Sequence, residues 1–591
     1  MHPAAILVVA ISAFFRRMKV RLLQEDPTML SGTMLSSTML SSTMLSGTTL
    51  PGKSIYRAMK RGLSFAGLAL VLSSLVLVLS TRVALAQQSG GTLVYIVQPE
   101  PPSLAPYLST SGPIGLVAPK IYQGLLDYDL DLNIVPELAE SYEISEDGLT
   151  VTFKLQKGVS WHDGEPFTSA DVQFSIMEVL KKFHPRGPNS FKEVSEIQTP
   201  DEHTAIFKLD RPAPYMMRAF AGYESPIVPK HLLEGKDIRE AELANNPVGT
   251  GPFKFVDWKK GQFIRLEKNE NYWKEGLPYL DRLVARIIPD ASTRTAAMES
   301  GEVMYGAYGA IPNVDVVRLR EMESIGITTD GYSMINPVSL LEFDTTQPPF
   351  DKPELRNAIS MTIDRQFLID NIWFGYGNAA TSALSSNFEP TGLYKASANY
   401  PGKPDVAAAN KLLDDAGFEA DADGVRIKAT LDLIPYGEDW RRAGEYIKQS
   451  LGEIGIQLDL RYEDVPTWIK RVYGDYDFAM NLNYFYQLPD PVIGVHRHYG
   501  TDQIRQGTPF VNSSRYSDEE LDALLVAGAT SADPAERKTV YHKIQDKLGT
   551  DQPVVNLFEM KFITVFNNKL KDHDFSAMGS YSSFDRTWLE Q

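Results

Sequence analysis

The stretch that most constrains the fold runs from residue 135 to residue 172. Residues 150–157 alternate between polar and apolar side chains, which is typical of a strand with one buried face. A loop rich in turn-forming residues, 161–166, follows this strand. Thr168 and Asp171 then have the spacing of a capping box, in which each side chain binds a backbone N–H of the other residue. The segment therefore predicts a strand, a tight loop and the start of a helix, in that order.

An ordered set of residues in this segment matches the signature of a known protein family. The matching residues are Trp161, Asp163, Gly164, Pro166, Thr168 and Asp171. This pattern resembles the extracellular solute-binding proteins of the peptide/nickel/opine class, which are the capture subunits of ABC importers. The resemblance implies structural roles for these residues, with the Trp161 ring filling a core pocket and Thr168 capping a helix.

Further landmarks extend the resemblance over nearly all of residues 91–591, including Gly249–Phe253, Asn271–Trp273 and Pro349–Ile359. The first of these, with two glycines around a threonine, predicts unusual backbone dihedral angles. Strands and helices also alternate along residues 407–481, which predicts parallel sheet covered by helices. The resemblance implies an α/β, two-lobed periplasmic-binding-protein fold of type II, with an extra subdomain on lobe I and a ligand cleft between the lobes.

The lobes of this fold are discontinuous in sequence, because the chain crosses between them more than once. We expect crossings near Val338–Leu341 and Pro553–Leu557. The predicted segments are an upstream low-complexity segment outside the mature fold (1–58), a signal peptide (59–86), lobe I (87–126, 248–338 and 556–591), its extra subdomain (127–247) and lobe II (339–555).

The first part of the chain has the features of a targeting segment. A basic start at Met59–Arg61 precedes the apolar run Gly62–Ser80, and Ala84–Ala86 is a small-x-small cleavage site before Gln87. The alternative is an uncleaved membrane anchor. The chain has no cysteine, which excludes disulfides, thiolate metal sites and a lipid anchor. The sequence therefore predicts a periplasmic protein, secreted through a cleaved signal peptide and without a lipid anchor.

The charge of the chain predicts a soluble protein that binds no nucleic acid, and we expect it to be a monomer. The whole chain has a formal net charge of −17, and residues 1–86 carry nine basic and two acidic side chains. Removal of that segment leaves a formal charge of −24 on the remaining residues. Such a surface repels nucleic acid and anionic lipid.

The motifs that would indicate an enzyme are absent or misplaced. No G-x-S-x-G, H-E-x-x-H or G-x-G-x-x-G occurs. A phosphate-loop pattern at Gly47–Ser54 lies ahead of the signal peptide, and the G-x-G-x-x-A at Gly375–Ala380 follows a helix rather than a strand. His496 and His498 are predicted to face solvent from a loop. The sequence thus predicts no catalytic residue, no cofactor and no metal.

The ligand is constrained by two substitutions relative to the dipeptide-binding members of the family. Those members hold the ligand amino group with an acid just before an Asp-Pro pair, and its carboxylate with an arginine two residues before a tyrosine. Gln487 and Ile434 stand at these positions here. A dipeptide held at both charged ends is therefore disfavoured, because a buried charge without a partner is costly. The candidate ligand-binding residues are Tyr436, Trp440, Tyr484 and Gln487, with Tyr107 and Ser111 from the first lobe.

Three functions remain open at this point. The resemblance favours a peptide or peptide-like solute, captured by hinge closure and delivered to the permease subunits of an ABC importer. The missing charged residues suggest an opine or oligosaccharide-type ligand in the same role. A hydrolase or chaperone that uses the cleft is the third possibility.

Overall fold

A computed structural model describes residues 87–590 of the protein. Its framework is two large β-sheets. The first sheet has seven strands, in the spatial order Ile325–Thr328, Thr564–Asn567, Tyr305–Gly306, Thr92–Ile96, Arg282–Arg286, Phe263–Lys268 and Phe253–Lys259. The central strand Thr92–Ile96 pairs in parallel with both of its neighbours, and the outer pairs are antiparallel. We call the part of the chain around this sheet the first lobe.

The second sheet is the framework of what we call the second lobe. Its six strands lie in the order Gly377–Ala379, Val554–Met560, Pro337–Phe343, Met480–Tyr486, Ile427–Leu433 and Ile456–Arg461. The strand Ile427–Leu433 pairs in parallel with both neighbours, as the alternation of strands and helices predicts. The remaining pairs are antiparallel, so the sheet is mixed. Every residue of Pro337–Phe343 and Val554–Met560 is buried, because helices cover both faces of this sheet.

The family signature lies in a smaller third sheet of the first lobe. Its four antiparallel strands have the order Ala139–Ile144, Thr150–Leu155, Thr204–Leu209 and Val194–Asp201. The apolar residues of the alternating strand are its buried ones, as the pattern predicts. Trp161 is buried with its ring edge-on to Phe167. The capping box also forms, and the Thr168 N–H donates to the Asp171 carboxylate at 2.9 Å.

The remaining residues of the signature hold the loop between this strand and the helix. The Asp163 carboxylate contacts His231 Nε2 at 2.8 Å, and Gly164 has a φ of 96°. Pro166 forms an isolated β-bridge with Ser160. Each of these contacts is internal to the first lobe.

Helices pack on the sheets and connect them. The α-helices are Gly112–Gly115, Ser169–Gln173, Lys181–Phe183, Gly187–Ser190, Lys230–Leu233, Ala291–Ser300, Asn313–Leu319, Pro353–Thr362, Arg365–Phe367, Val406–Asp415, Glu438–Gly452, Val465–Ile469, Pro491–Gly494, His496–Tyr499, Glu519–Thr530 and Pro534–Asp551. Four of them continue directly into or from the π-helical turns at Phe174–Leu180, Leu368–Ile372 and Lys470–Asp475. No helix between residues 87 and 590 has the length and apolarity needed to cross a bilayer.

The chain passes between the two lobes at positions that differ from the predicted ones. The predicted boundaries at 338/339 and 555/556 fall inside Pro337–Phe343 and Val554–Met560, which are both strands of the second sheet. The crossing segments are therefore residues 329–336 and 561–563. The sequence misplaces them because an apolar run does not reveal which sheet its strand joins.

The Gly249–Phe253 landmark is explained by close packing rather than by unusual dihedral angles. Neither Gly249 nor Gly251 has a positive φ. A Cβ atom on Gly249 would instead lie 1.9 Å from the backbone oxygen of Ile121. The Gly251 N–H donates to that same oxygen at 2.8 Å, and the Gly249 oxygen accepts from the His162 N–H at 2.9 Å. Glycine is thus needed because two backbone segments touch.

The predicted leader and low-complexity segments, residues 1–86, lie outside the described residues.

Candidate functional site

Aromatic side chains from both lobes meet at the junction between them. On the side of the first lobe, the Tyr581 ring is stacked between two other tyrosines. Its centroid lies 4.5 Å from that of Tyr223 and 4.6 Å from that of Tyr308, with ring planes inclined by 21° and 17°. These three residues come from widely separated parts of the chain, so only the folded structure brings them together.

The second lobe contributes two tyrosines from the end of the strand Met480–Tyr486. Tyr484 and Tyr486 lie two residues apart, so they share one face of the strand, and their ring centroids are 5.8 Å apart. Phe562, in the crossing segment 561–563, joins the two sides: its ring lies 6.2 Å from Tyr484 and 5.2 Å from Tyr308. We call Tyr223, Tyr308, Tyr484, Tyr486 and Tyr581 the tyrosine cluster.

Burial keeps the phenols of this cluster neutral. Removal from water disfavours the phenolate, so the pKa values of Tyr308, Tyr484, Tyr486 and Tyr581 are raised above the ordinary value for tyrosine. Tyr308, Tyr484 and Tyr486 are half-buried, whereas Tyr223 and Tyr581 are buried. The first three therefore offer apolar ring surface and neutral hydroxyl groups at the junction. Such surfaces provide contact area and hydrogen bonds at little cost in side-chain entropy.

A buried ion pair lies beside the cluster in the first lobe. The Arg186 guanidinium and the Glu224 carboxylate form two hydrogen bonds, one of them 2.6 Å long from Nε to Oε2. Burial opposes the charge on Arg186, but the carboxylate outweighs it and raises the pKa of the guanidinium. The Arg186 guanidinium carbon lies 5.4 Å from the centroid of the Tyr223 ring. This pair is electrically neutral as a unit.

A second arginine, Arg497, approaches the same place from the second lobe. It lies in the short helix His496–Tyr499 and is half-buried. Burial, and then the charge of Arg186, lower the pKa of its guanidinium to about 10. The neighbouring histidines correct a prediction: His498 is buried and His496 contacts the Tyr541 hydroxyl at 2.8 Å, so neither projects from a solvent-facing loop.

A family model places this architecture among known proteins. Residues 133–506 match the model of the bacterial extracellular solute-binding proteins, family 5 Middle. The chain belongs to this family. The resemblance drawn from the signature is thereby confirmed, and so is the α/β, two-lobed type II periplasmic-binding-protein fold.

Individual relatives agree with this assignment. A glutathione-binding protein, GsiB, from Pectobacterium atrosepticum is 28% identical over 485 residues, which are 79% of this chain and 88% of GsiB. The structure of AgaA from A. tumefaciens R10 in complex with agropinic acid is 28% identical, with a TM-score of 0.71 over 85% of this chain and 99% of AgaA. The ABC transporter-associated periplasmic binding protein DppA from Helicobacter pylori, in complex with the peptide STSA, is 25% identical, with a TM-score of 0.73 over 85% and 99% of the two chains.

Three of the predicted ligand-binding residues of this family 5 protein lie together: Tyr484, which belongs to the tyrosine cluster, and its neighbours Trp440 and Tyr436. Trp440 stacks on Tyr484, and the Tyr436 ring lies 6.0 Å from Tyr484 in an edge-on arrangement. Tyr436 is 45% exposed and Tyr484 half-buried, whereas Trp440 is only 5% exposed and packs edge-on to Trp373 in the core of the second lobe. Of the three, Tyr436 and Tyr484 have surface to offer a solute.

Gln487 is occupied by the second lobe itself. Its side-chain oxygen accepts from the Ser385 N–H at 2.8 Å, and its side-chain nitrogen donates to the Ala383 oxygen at 3.0 Å. The nearby Asp490 caps the helix Pro491–Gly494 and binds the Arg537 guanidinium through both of its oxygens. The side chains of Gln487 and Asp490 therefore stabilise the loop that follows the strand Met480–Tyr486.

The two candidates from the first lobe differ in their surroundings. The segment around Ser111 adjoins the tyrosine cluster, because the Tyr223 hydroxyl donates to the Thr110 oxygen at 2.9 Å. Ser111 itself is half-buried and precedes the helix Gly112–Gly115. Tyr107 is fully buried, with its ring edge-on to Tyr122 and its hydroxyl without a hydrogen-bond partner among the described residues.

Sequence reasoning missed the residues from the first lobe and the charged groups. Tyr223, Tyr308 and Tyr581 belong to no local motif, and no periodic pattern links them. Arg497 was passed over because it lies in a His-Arg-His run that reads as a surface loop. Within the described residues, no group of three histidine or acidic side chains is placed to hold a metal ion.

Proposed function

We propose that this protein captures a peptide or peptide-like solute between its lobes and delivers it, unchanged, to the permease subunits of an ABC importer. The observation that carries the proposal is the tyrosine cluster, which draws its rings from both lobes at their junction. Membership of a solute-binding family supports the role, and the names of GsiB and of the DppA complex support the ligand class.

The mechanism follows from the two-lobed architecture. Only two short segments, residues 329–336 and 561–563, connect the sheets. A hinge in these segments lets the lobes separate and close. A solute that contacts Tyr484 on one lobe and Tyr308 on the other stabilises the closed form, because these contacts exist together only there. No bond in the solute is broken or formed.

The proposal includes the compartment and the oligomeric state of the protein. The chain is exported through the signal peptide, cut after Ala86, and acts in the periplasm as a monomer that binds no nucleic acid. N-terminal sequencing of the exported protein tests the cleavage, and a mature chain that starts before Gln87 would contradict it.

Calorimetric and thermal-shift titrations test the ligand class. We expect short peptides or glutathione to bind, and a ligand at 100 times its dissociation constant to stabilise the protein by about 2.7 kcal/mol. Small-angle scattering should show a smaller radius of gyration with ligand than without. Stabilisation accompanied by hydrolysis of the ligand would instead favour an enzyme.

An opine is the second candidate ligand. The AgaA complex with agropinic acid supports this choice, and so does the replacement of the expected charged residues by Ile434 and Gln487. Agropinic acid belongs in the same titration series. Binding of agropinic acid with no binding of any peptide would select the opine.

A further inference from the structure

Three charged side chains, Arg186, Glu224 and Arg497, lie near the tyrosine cluster, and their charges do not cancel. Glu224 is the acid of this group, and both of its oxygens bind Arg186. Among the described residues, no carboxylate lies within 4.0 Å of the Arg497 guanidinium. The group therefore carries one uncompensated positive charge at the junction of the lobes.

The guanidinium of Arg497 also has N–H groups that are not used in hydrogen bonds to the protein. Its Nε donates to the Gly494 oxygen at 3.1 Å, Nη1 to the Phe510 oxygen at 3.2 Å and Nη2 to the Tyr486 oxygen at 3.0 Å. An arginine has five N–H groups, so one N–H on each terminal nitrogen is left for a further acceptor. The three bonds fix the plane of the group, since all three acceptors are backbone atoms of the second lobe.

We infer that Arg497 seats a carboxylate of the captured solute, while the tyrosine cluster contacts the remainder. This inference rests on the proposed function and adds the charge of the ligand to it. A carboxylate is the complement that a planar, fixed guanidinium binds best. It would compensate the buried charge, and solute binding would be linked to closure because Arg186, Glu224 and Tyr223 face Arg497 from the other lobe.

The competing explanation is that Arg497 has a purely structural role, and Arg365 is an example of an arginine in such a role. Arg365 lies inside the second lobe, donates to the backbone oxygens of Asn556 and Ser360, and stacks over the Tyr400 ring. Burial lowers the pKa of its guanidinium to about 10, as for Arg497. The two arginines differ in location, because Arg365 is only 4% exposed and Arg497 is half-buried at the junction. Arg365 is therefore a matched control.

Isothermal titration calorimetry on the full chain tests the inference with four probes. These are trialanine, trialanine amide, glutathione and agropinic acid, each titrated into the wild type, Arg497→Gln and Arg365→Gln. We expect a carboxylate probe that binds the wild type to lose about tenfold or more in affinity for Arg497→Gln, and to bind Arg365→Gln as tightly as the wild type. Trialanine amide should bind the wild type more weakly than trialanine and should not distinguish the wild type from Arg497→Gln.

The outcomes separate the inference from the function on which it rests. Equal affinity of every binding carboxylate probe for the wild type and Arg497→Gln would overturn the carboxylate site and leave the proposed function intact. If Arg497→Gln does not fold, the comparison of trialanine with trialanine amide on the wild type still tests the inference. Equal affinity of the wild type for these two probes would overturn it. If no probe binds the folded wild type, the proposed ligand class fails, and the carboxylate site fails with it.

Discussion

The indole ring of Trp440 stacks on the phenol of Tyr484, with ring centroids 5.5 Å apart and planes inclined by 24°. The stack connects the core of the second lobe to the candidate site, because Trp440 is buried and Tyr484 is only half-buried. A change to the indole is therefore expected to affect both the stability of the lobe and the position of a ring in the candidate site.

Trp440→Ala should lower the free energy of unfolding by about 3–5 kcal/mol, because it removes a large ring from a packed core. Tyr484→Phe keeps the stack and removes only the hydroxyl, so we expect it to cost about 1 kcal/mol at most. Chemical denaturation measures both. The exposed Tyr436→Ala serves as control and should change the free energy by about 0.5 kcal/mol or less. Equal losses for Trp440→Ala and Tyr436→Ala would show that the indole is not packed as described.

The ion pair of Arg186 and Glu224 should be sensitive to the loss of either partner. Glu224→Gln leaves a buried guanidinium without its counter-charge, which costs about 3–5 kcal/mol in comparable buried pairs. The exposed pair of Lys182 and Glu178 provides the comparison, and Glu178→Gln should cost about 0–1 kcal/mol. Both are read from urea denaturation curves. A loss below about 1 kcal/mol for Glu224→Gln would mean that water reaches the pair.

The fold was predictable from the sequence where local patterns fix it. The alternating strand Thr150–Leu155 and the capping box at Thr168 depend on neighbours in the chain, and the sequence predicts both. The strand at the candidate site is Met480–Tyr486. Its alternation puts Tyr484 and Tyr486 on one face of the strand, but the sequence did not identify Tyr486 as a candidate.

The candidate site was predictable only in part, because it is built from contacts between distant segments. Tyr223 and Tyr581 are stacked, yet more than three hundred residues separate them in sequence. Gln487 was selected by its alignment with a ligand-binding position, but its amide binds its own lobe instead. Arg497 comes under the electrostatic influence of Arg186 and Glu224 only in the folded chain. Side-chain partners across a junction leave no trace in local sequence.

Close packing at Gly249 predicts a strong effect from a single methyl group. Gly249→Ala forces the backbone near Ile121 to move, since the new Cβ would lie 1.9 Å from a backbone oxygen. We expect a loss of about 1–3 kcal/mol or more, typical of overpacking. Gly402→Ala is the control, because no atom lies within 4 Å of a Cβ built there and its φ is not positive. Thermal melts that shift equally for the two variants would refute the close contact.

Glu342 should make the protein less stable as the pH rises through neutrality. It is buried in the second sheet, where its carboxylate accepts from the Ser513 hydroxyl at 2.8 Å and from the Asn481 amide at 2.6 Å. Burial raises the pKa of Glu342 to about 7, although these hydrogen bonds oppose the shift. The ordinary value is about 4.3, so between these two pH values the unfolded chain ionises while the native chain keeps its proton.

Stability from this group is therefore present below about pH 4.3 and lost progressively up to about pH 7. Glu342→Gln resembles the protonated acid in shape and hydrogen bonding and does not titrate. We expect equal stability of the wild type and Glu342→Gln at pH 4.5 and a more stable variant at pH 8, by about 3 kcal/mol as an upper bound. Urea denaturation at both pH values measures the difference, with the exposed Glu140→Gln as control. A difference between the wild type and Glu342→Gln that does not change with pH would show that Glu342 is ionised in the native protein throughout this range.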